Sequence, residues 1–304
     1  MRAIVNTPAT GNVAFRDVPA PVAAAGEVLI DVRAVSVNRG EILNLPGNDE
    51  GWRPGWDVAG VVAETAEGFT KGQRVVALSL ADGSWAEQIA VPAEAVAVLP
   101  DAVSFAQAAT LPVAALTALR LVREAGSLLG RTVLVTGAAG GVGRFLVQLA
   151  RAAGAEVTAV ARNAERAKGL DRLGAASVVT DVATADGPFD VVYEAAGGET
   201  LSRALGLVGP GGTVYTYGNS SGEPTPVSFF QFFGGHEQAV LRHFVFVTGA
   251  PVGADLAALA RLVADGRLTV EISYEKDWEH VNEALTAVRD REVSGKAVLT
   301  IGIG

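Results

Sequence analysis

Polar and apolar positions alternate through the first third of the chain. Glu27-Val28-Leu29-Ile30-Asp31-Val32-Arg33-Ala34-Val35 has the two-residue period of a half-buried strand. Short apolar runs at 58–63 and 73–78 predict further strands, and Pro54-Gly55, Lys71-Gly72 and Asp82-Gly83-Ser84 supply turns between them. Many short strands with such turns predict a small β-barrel-type domain. The pattern changes after Pro112. Residues 113–124 are Ala/Leu-rich and read as a helix. Beyond them come strand 132–136, helix 142–153, strand 156–161, helix 164–173, strands 177–180 and 190–193, helix 200–207 and strand 212–217. This alternation predicts a parallel sheet with crossover helices. Helices at 254–264 and 278–288 and a strand at 296–301 complete the reading.

A chain of 304 residues fits two domains at roughly 100–200 residues each. The absence of cysteine removes disulfides, thiolate nucleophiles and Cys-ligated metals. Lys and Arg number 24 against 33 Asp and Glu, a net charge of −9, with no long basic run. Nucleic acid is therefore excluded as the expected partner, because phosphate neutralisation needs a clustered basic face. The opening Met1-Arg2-Ala3-Ile4-Val5-Asn6 lacks the pattern of a signal peptide, and no apolar run approaches the roughly 20 residues that span a bilayer. The expectation is a soluble, cytoplasmic protein without membrane partners.

The strongest chemical signal is Thr136-Gly137-Ala138-Ala139-Gly140-Gly141-Val142-Gly143, which follows an expected strand and opens an expected helix. In that context a Gly-rich turn is a dinucleotide fingerprint. Glycine permits the tight turn and the close approach of backbone to pyrophosphate, while the helix N-terminus offers unpaired N–H donors. Ala138 stands where the usual pattern has its first glycine, and Gly140 and Gly143 hold the other two. A purely structural βα turn is the alternative. The end of the next strand reads Val160-Ala161-Arg162-Asn163, without the carboxylate that binds the ribose of NAD. Arg162 and Arg166 suit a 2′-phosphate instead, so NADPH is the expected cofactor. Glu165 stands between the two arginines and offers the competing reading of solvated, paired charges at a helix start.

Several ordered segments together resemble the medium-chain dehydrogenase/reductase superfamily, most closely its zinc-independent quinone oxidoreductase (zeta-crystallin-like) branch. They are 35–41 (Val-Ser-Val-Asn-Arg-Gly-Glu), 54–60 (Pro-Gly-Trp-Asp-Val-Ala-Gly), 83–87 (Gly-Ser-Trp-Ala-Glu), 116–119, 137–143, 218–222 (Gly-Asn-Ser-Ser-Gly) and 294–299 (Ser-Gly-Lys-Ala-Val-Leu). The resemblance covers nearly the whole chain. It implies an α/β fold in which a GroES-like β-barrel-type catalytic domain, 1–112 and 258–304, encloses a Rossmann domain with a doubly wound parallel sheet, 113–257. It further implies an active site in the cleft and a homodimer through an edge strand at 243–248. Zinc-dependent relatives carry a Cys ligand and a Gly-His-Glu where this chain has Val35–Glu41 and Gly55-Trp56-Asp57, so no metal is expected. His236, His243 and His280 are scattered.

The resemblance also suggests the site. Asn38 matches the active-site asparagine near the nicotinamide and the substrate carbonyl, with a turn-forming role as the alternative. Thr117 is placed towards the nicotinamide. Ala196, in Ala195-Ala196-Gly197, and Tyr217-Gly218-Asn219 are placed along the cofactor. Lys296 matches a basic position near the cofactor, a solvated lysine being the other reading. Asp57 and Glu41 stand as orienting or structural groups, and Phe229–Phe233 as a hydrophobic substrate wall or dimer-interface packing. Asp181, where relatives often have Tyr, is an unfavourable carboxylate near a 2′-phosphate unless it points away or pairs with Arg162. The implied activity is NADPH-dependent, zinc-independent hydride transfer to a quinone or α,β-unsaturated carbonyl. Two alternatives remain open. One is a specialised biosynthetic enoyl reductase or cyclase of the same fold. The other is an NADPH-binding sensor or crystallin-like protein with little turnover.

Overall fold

The structure, a computed structural model, describes residues 1–66, 68–248 and 251–302. The chain forms two compact units, Met1–Leu116 with Gly249–Gly304, and Thr117–Thr248. The sequence reading divides them at 112/113 and 257/258. The later return to the first unit in that reading splits the helix Val252–Ala264, which in the structure packs whole against the first unit. Gly253 makes that contact possible: a Cβ there would stand 2.6 Å from the Val96 carbonyl oxygen.

The first unit is built on a seven-stranded sheet. Ile272–Asp277, Lys296–Thr300, Glu27–Val37, Asp57–Val62, Arg74–Leu78 and Val96–Val98 follow one another across it, and Gln88–Pro92 also pairs with Glu27–Val37. Arg2–Thr7 and Asn12–Asp17 form a separate antiparallel pair. Two antiparallel registers position the polar groups of this unit: Ala297 opposes Val37, and Ala34 opposes Ala59. They bring the ends of three strands to one place, with Lys296, Asn38 and Asp57 at those ends. Pairing at neighbouring strand ends thus joins residues that lie far apart in the chain.

The second unit holds six parallel strands in the order Ser177–Val179, Glu156–Val160, Thr132–Val135, Phe189–Glu194, Val208–Thr216, Val240–His243. This is the doubly wound Rossmann order. The central strands are buried on both faces, which is why they read as unbroken runs such as Val133-Leu134-Val135. Leu134, Val192, Leu205, Val208 and Val214 meet in its core. The α/β fold, with a GroES-like unit and a Rossmann-type parallel sheet, is the one expected.

Three elements differ from expectation. The helix expected over 164–173 is a single turn, Ala164–Ala167, because Lys168 leaves the helical region at ψ 132° and Gly169 adopts φ +82°. The edge strand expected at 243–248 is Val240–His243 and ends where the other begins. Ahead of Leu116–Glu124, Leu111–Ala115 is π-helical, the looser winding that Pro112 permits. Among the described residues no helix is long and apolar enough to cross a membrane.

Candidate active site

Asn38 closes the strand Glu27–Val37 and precedes the short helix Arg39–Asn44. Its Nδ2 donates to Asp57 Oδ2 at 2.8 Å, and its Oδ1 accepts from Lys296 Nζ at 2.6 Å. Lys296 Nζ also lies 3.4 Å from Asp57 Oδ2. Asp57 accepts in addition from the Ser36 hydroxyl and, through Oδ1, from the Val113 N–H at 2.8 Å. That last amide belongs to the π-helical turn. Asp57 is fully buried and Lys296 is 3% exposed, so the solvated lysine considered from sequence is not what the fold builds. Burial of this ion pair is offset by hydrogen bonds to every partner named, the condition under which such a pair is tolerated.

Glu41 lies beneath this cluster and is also fully buried. It reaches back from the first helical turn, with Oε2 accepting from Asn38 N and Oε1 from Trp56 N, each at 2.7 Å. Burial pushes its carboxyl up to about 8, and the neighbouring Asp57 charge adds to the rise; the two backbone N–H groups and Lys296 oppose it. Asp57 and Glu41 therefore orient the segment around Asn38 as buried anchors.

In the second unit, Gly137 takes φ +60° and the chain then enters the helix Gly141–Ala152. A Cβ on Gly143 would stand 2.4 Å from the Gly137 carbonyl oxygen and 2.6 Å from Ala138 Cα. The helix thus closes directly onto the turn. Gly137 is exposed and Gly140, Gly141 and Val142 are half-buried, so the first-turn N–H groups, which have no intrahelical acceptor, are presented at an accessible edge. Ala138 differs from its neighbours. Its methyl is buried and its N–H donates to Val160 O, so it packs the turn rather than offering a donor.

Neighbouring strand ends surround that turn. A Cβ on Gly137 would lie 3.7 Å from that of Ala195, and one on Gly218 would lie 3.3 Å from Ala195 O. Buried Glu194 gathers Ala196 N at 2.8 Å, Gly197 N and the Thr136 hydroxyl at 2.9 Å, and its carboxyl is raised by burial. Tyr217 follows the strand end. Its hydroxyl is buried without a hydrogen-bond partner among the described residues, and burial followed by the Glu194 charge raises its pKa, which disfavours ionisation. Asn219 folds its own loop, its Oδ1 accepting from Ser221 Oγ at 2.8 Å and Gly222 N at 3.1 Å.

Arg162 is exposed and Arg166 half-buried beyond the strand Glu156–Val160. Glu165, the carboxylate between them in sequence, pairs with Lys168 one turn on. Asp181 caps Ala183 N and lies 3.5 Å from Arg203. Sequence reasoning missed Arg144, which is buried within the first turn of Gly141–Ala152 and contacts Ala139 O and Lys168 O. Its ionisation is lowered by burial and then by the Arg166 and Arg172 charges. Its signal was an arginine directly after the third glycine of the turn. Ser36, inside the 35–41 segment, and Glu194, outside every segment singled out, were missed as well.

The structure thus gathers Asn38, Lys296, Asp57 and Glu41 in the first unit. It gathers Gly137–Gly143, Ala196, Tyr217, Gly218 and Asn219 in the second. Thr117 is 5% exposed at the start of the second unit. Phe229 packs edge to face with Phe230 and Phe233 on the surface, the three being 55–78% exposed, while Phe232 reaches the core. Among the described residues no three His, Cys, Asp or Glu side chains are grouped as metal ligands.

Known proteins resemble this chain in sequence and fold. Residues 24–101 match the alcohol dehydrogenase GroES-like domain family and 141–265 the zinc-binding dehydrogenase family. The chain is 34% identical over 302 residues to the spectinabilin polyketide synthase system protein NorB of Streptomyces orinoci, covering 93% of this chain but spanning only 14% of that much longer protein. It is 34% identical to the quinone oxidoreductase of Mus musculus over 66% of this chain and 67% of that one. Among solved structures, an NAD-dependent alcohol dehydrogenase superposes with a TM-score of 0.89 at 26% identity, covering 99% of this chain and 100% of that one. A mycobacterial protein complexed with NADPH gives 0.87 at 26%, covering 99% of both. With these likenesses joined to the two-unit fold and the Gly-rich turn, the chain belongs to the medium-chain dehydrogenase/reductase superfamily, in its quinone oxidoreductase branch.

Proposed function

We propose that the protein binds NADPH and reduces quinones or α,β-unsaturated carbonyls without zinc. The observation that carries the reading is the turn at Gly137–Gly143, where the backbone leaves no room for a Cβ at Gly143 and turns the helix N-terminus outward. The donors there suit a pyrophosphate. Arg162 and Arg166, with Arg144 beneath, supply positive charge for a 2′-phosphate, and Ala196, Gly218 and Asn219 leave small or polar surface for the ribose. Thr117 and Tyr217 complete the cofactor set. The mycobacterial relative's complex with NADPH supports the choice of cofactor, and the NAD-dependent relative makes it a matter for direct test.

Bound NADPH supplies a hydride equivalent to an electron-poor carbon. The negative charge then accumulates on the acceptor's oxygen. Asn38 donates an amide N–H to that oxygen, and Asp57 fixes the amide against movement. Such pre-aimed donors, together with orientation, are the main sources of catalysis where no strong acid is present. Solvent provides the proton that completes the product. Zinc independence rests on residue type, since Asn38 and Trp56-Asp57 stand where zinc-dependent relatives have sulfur and imidazole ligands. We further propose a homodimer, supported by partly exposed Val240, Leu241 and Val245 at the sheet edge and by the exposed phenylalanines.

The match to a polyketide synthase over nearly the whole chain favours one second reading, an enoyl reductase acting on a biosynthetic thioester. The test is fluorescence titration with NADPH and NADH, followed by cofactor oxidation with 9,10-phenanthrenequinone, a simple enone and an enoyl thioester. NADPH preference that is lost in the Arg162→Glu, Arg166→Glu double variant is the expected result. Equal or tighter NADH binding by the wild type refutes the 2′-phosphate assignment. Turnover of the thioester alone selects the second reading.

A further inference from the structure

Lys296 is a buried cation that the proposed reaction leaves without a task. Nothing about its burial is incidental, since a desolvated ammonium is retained only where partners hold it. The partners are specific. One is Asn38 Oδ1 at 2.6 Å, and the other is Asp57 Oδ2 at 3.4 Å. Asp57 Oδ2 also takes one amide hydrogen of Asn38 at 2.8 Å. The side-chain amide of Asn38 is therefore gripped at both ends, its oxygen by a cation and its nitrogen by an anion. Reversed, the amide would set its NH2 against the ammonium and its oxygen against the carboxylate, two repulsive contacts in place of two attractive ones. One Nδ2 hydrogen remains without an acceptor among the described residues.

We propose that Lys296 is a positioning residue that fixes the amide of Asn38 in the one orientation that offers an N–H to a carbonyl acceptor. The proposal rests on the reading of Asn38 as the group that meets that carbonyl. Asp57 holds the lysine, Ser36 and Val113 hold Asp57, and the strand register at Ala297 and Val37 holds the two sides together. Lys296 acts through Asn38 and does not itself contact substrate. It differs in this from the cofactor-contact role that the family resemblance implies.

Two measurements test it. The first needs no turnover: side-chain amide exchange of Asn38, with its resonances assigned by difference against Asn38→Asp. Lys296→Met is expected to speed exchange by about tenfold or more, as loss of a locking hydrogen bond of about 1.4 kcal/mol does. Unchanged exchange overturns the proposal. The second is a cycle of Lys296→Met with Asn38→Ala. Lys296→Met is expected to lower kcat by about tenfold in the wild-type background and by less than about twofold in Asn38→Ala, the signature of coupled residues. The NADPH dissociation constant stays within about twofold throughout. Equal loss in both backgrounds overturns the proposal, and so does a loss carried entirely by NADPH affinity. Lys296→Met leaves Asp57 without its counter-charge, so Lys296→Arg is measured beside it. That variant keeps the cation and is expected to restore slow exchange. A wild type with slow amide exchange but no turnover refutes the reductase reading while leaving the positioning role standing.

Discussion

Replacing Gly143 by alanine tests the central claim about the cofactor turn. The new Cβ would sit 2.4 Å from Gly137 O, 2.6 Å from Ala138 Cα and 2.8 Å from Ala138 C. All three are backbone atoms, so no side chain can rotate away. Relief to the 3.0 Å floor needs a shift of at least 0.6 Å between helix and turn. Overpacking of this kind costs about 1–3 kcal/mol. Alanine in a helix returns about 0.5–1 kcal/mol relative to glycine, so the net loss is about 0–2.5 kcal/mol, centred on about 1–1.5 kcal/mol. Melting should fall by about 3–6 °C for a unit of this size. The same shift moves the first-turn N–H groups away from the pyrophosphate, and NADPH should bind about tenfold or more weakly. Gly140→Ala is the control, because its Cβ meets only Gly137 O, at 3.2 Å. It should perturb both quantities less. Differential scanning calorimetry and fluorescence titration read them out. A Gly143→Ala protein that melts at the wild-type temperature and binds NADPH within about twofold refutes the argument that the turn is closed against the helix.

Two further outcomes rest on buried polar groups. Tyr217→Phe removes a hydroxyl that has no partner among the described residues, so stability should hold or rise by up to about 1 kcal/mol, while NADPH affinity falls about fivefold if the ligand completes that hydrogen bond; unchanged affinity removes Tyr217 from the cofactor set. Burial raises the pKa of Glu41 from 4.5 to about 8. Between those values the folded protein keeps a proton that the unfolded chain has released, so folding weakens as pH rises through that window, by a few kcal/mol, and levels off above about 8. Glu41→Gln should abolish this slope in urea denaturation at pH 5, 7 and 8.5. It should also cost about 1–3 kcal/mol at pH 5, because one amide oxygen cannot serve both backbone N–H groups. An identical slope in the variant assigns the pH dependence to other groups.

Local pattern and long-range pairing were legible to different degrees. The parallel sheet was readable because its central strands are buried on both faces and leave continuous apolar runs, and because a Gly-rich turn follows one of them. The helix at 164–173 was over-read because its composition is helical, whereas Gly169 at φ +82° ends it after one turn. The strands Arg2–Thr7 and Gln88–Pro92 escaped notice because their apolar stretches are short and carry no clean alternation.

The site divides in the same way. The glycines proposed to cradle an anion lie within seven consecutive residues, so their spacing announces them. The Asn38, Asp57 and Lys296 cluster is assembled by strand register, with Asn38 and Lys296 separated by 258 positions in sequence. No periodicity encodes such a meeting, and each residue alone is as consistent with a turn, a cap or a solvated charge. Burial decides among these readings. An exposed lysine at 296 would have left the amide of Asn38 held at its nitrogen by Asp57 but without a cation at its oxygen, whereas the antiparallel pairing of Ala297 with Val37 carries the ammonium inward and opposite the amide oxygen. The sheet that orders the first unit is therefore also what orients the amide of Asn38, and a substitution that shifts this register by one residue would turn the lysine to the other face and take the cation away from the amide oxygen.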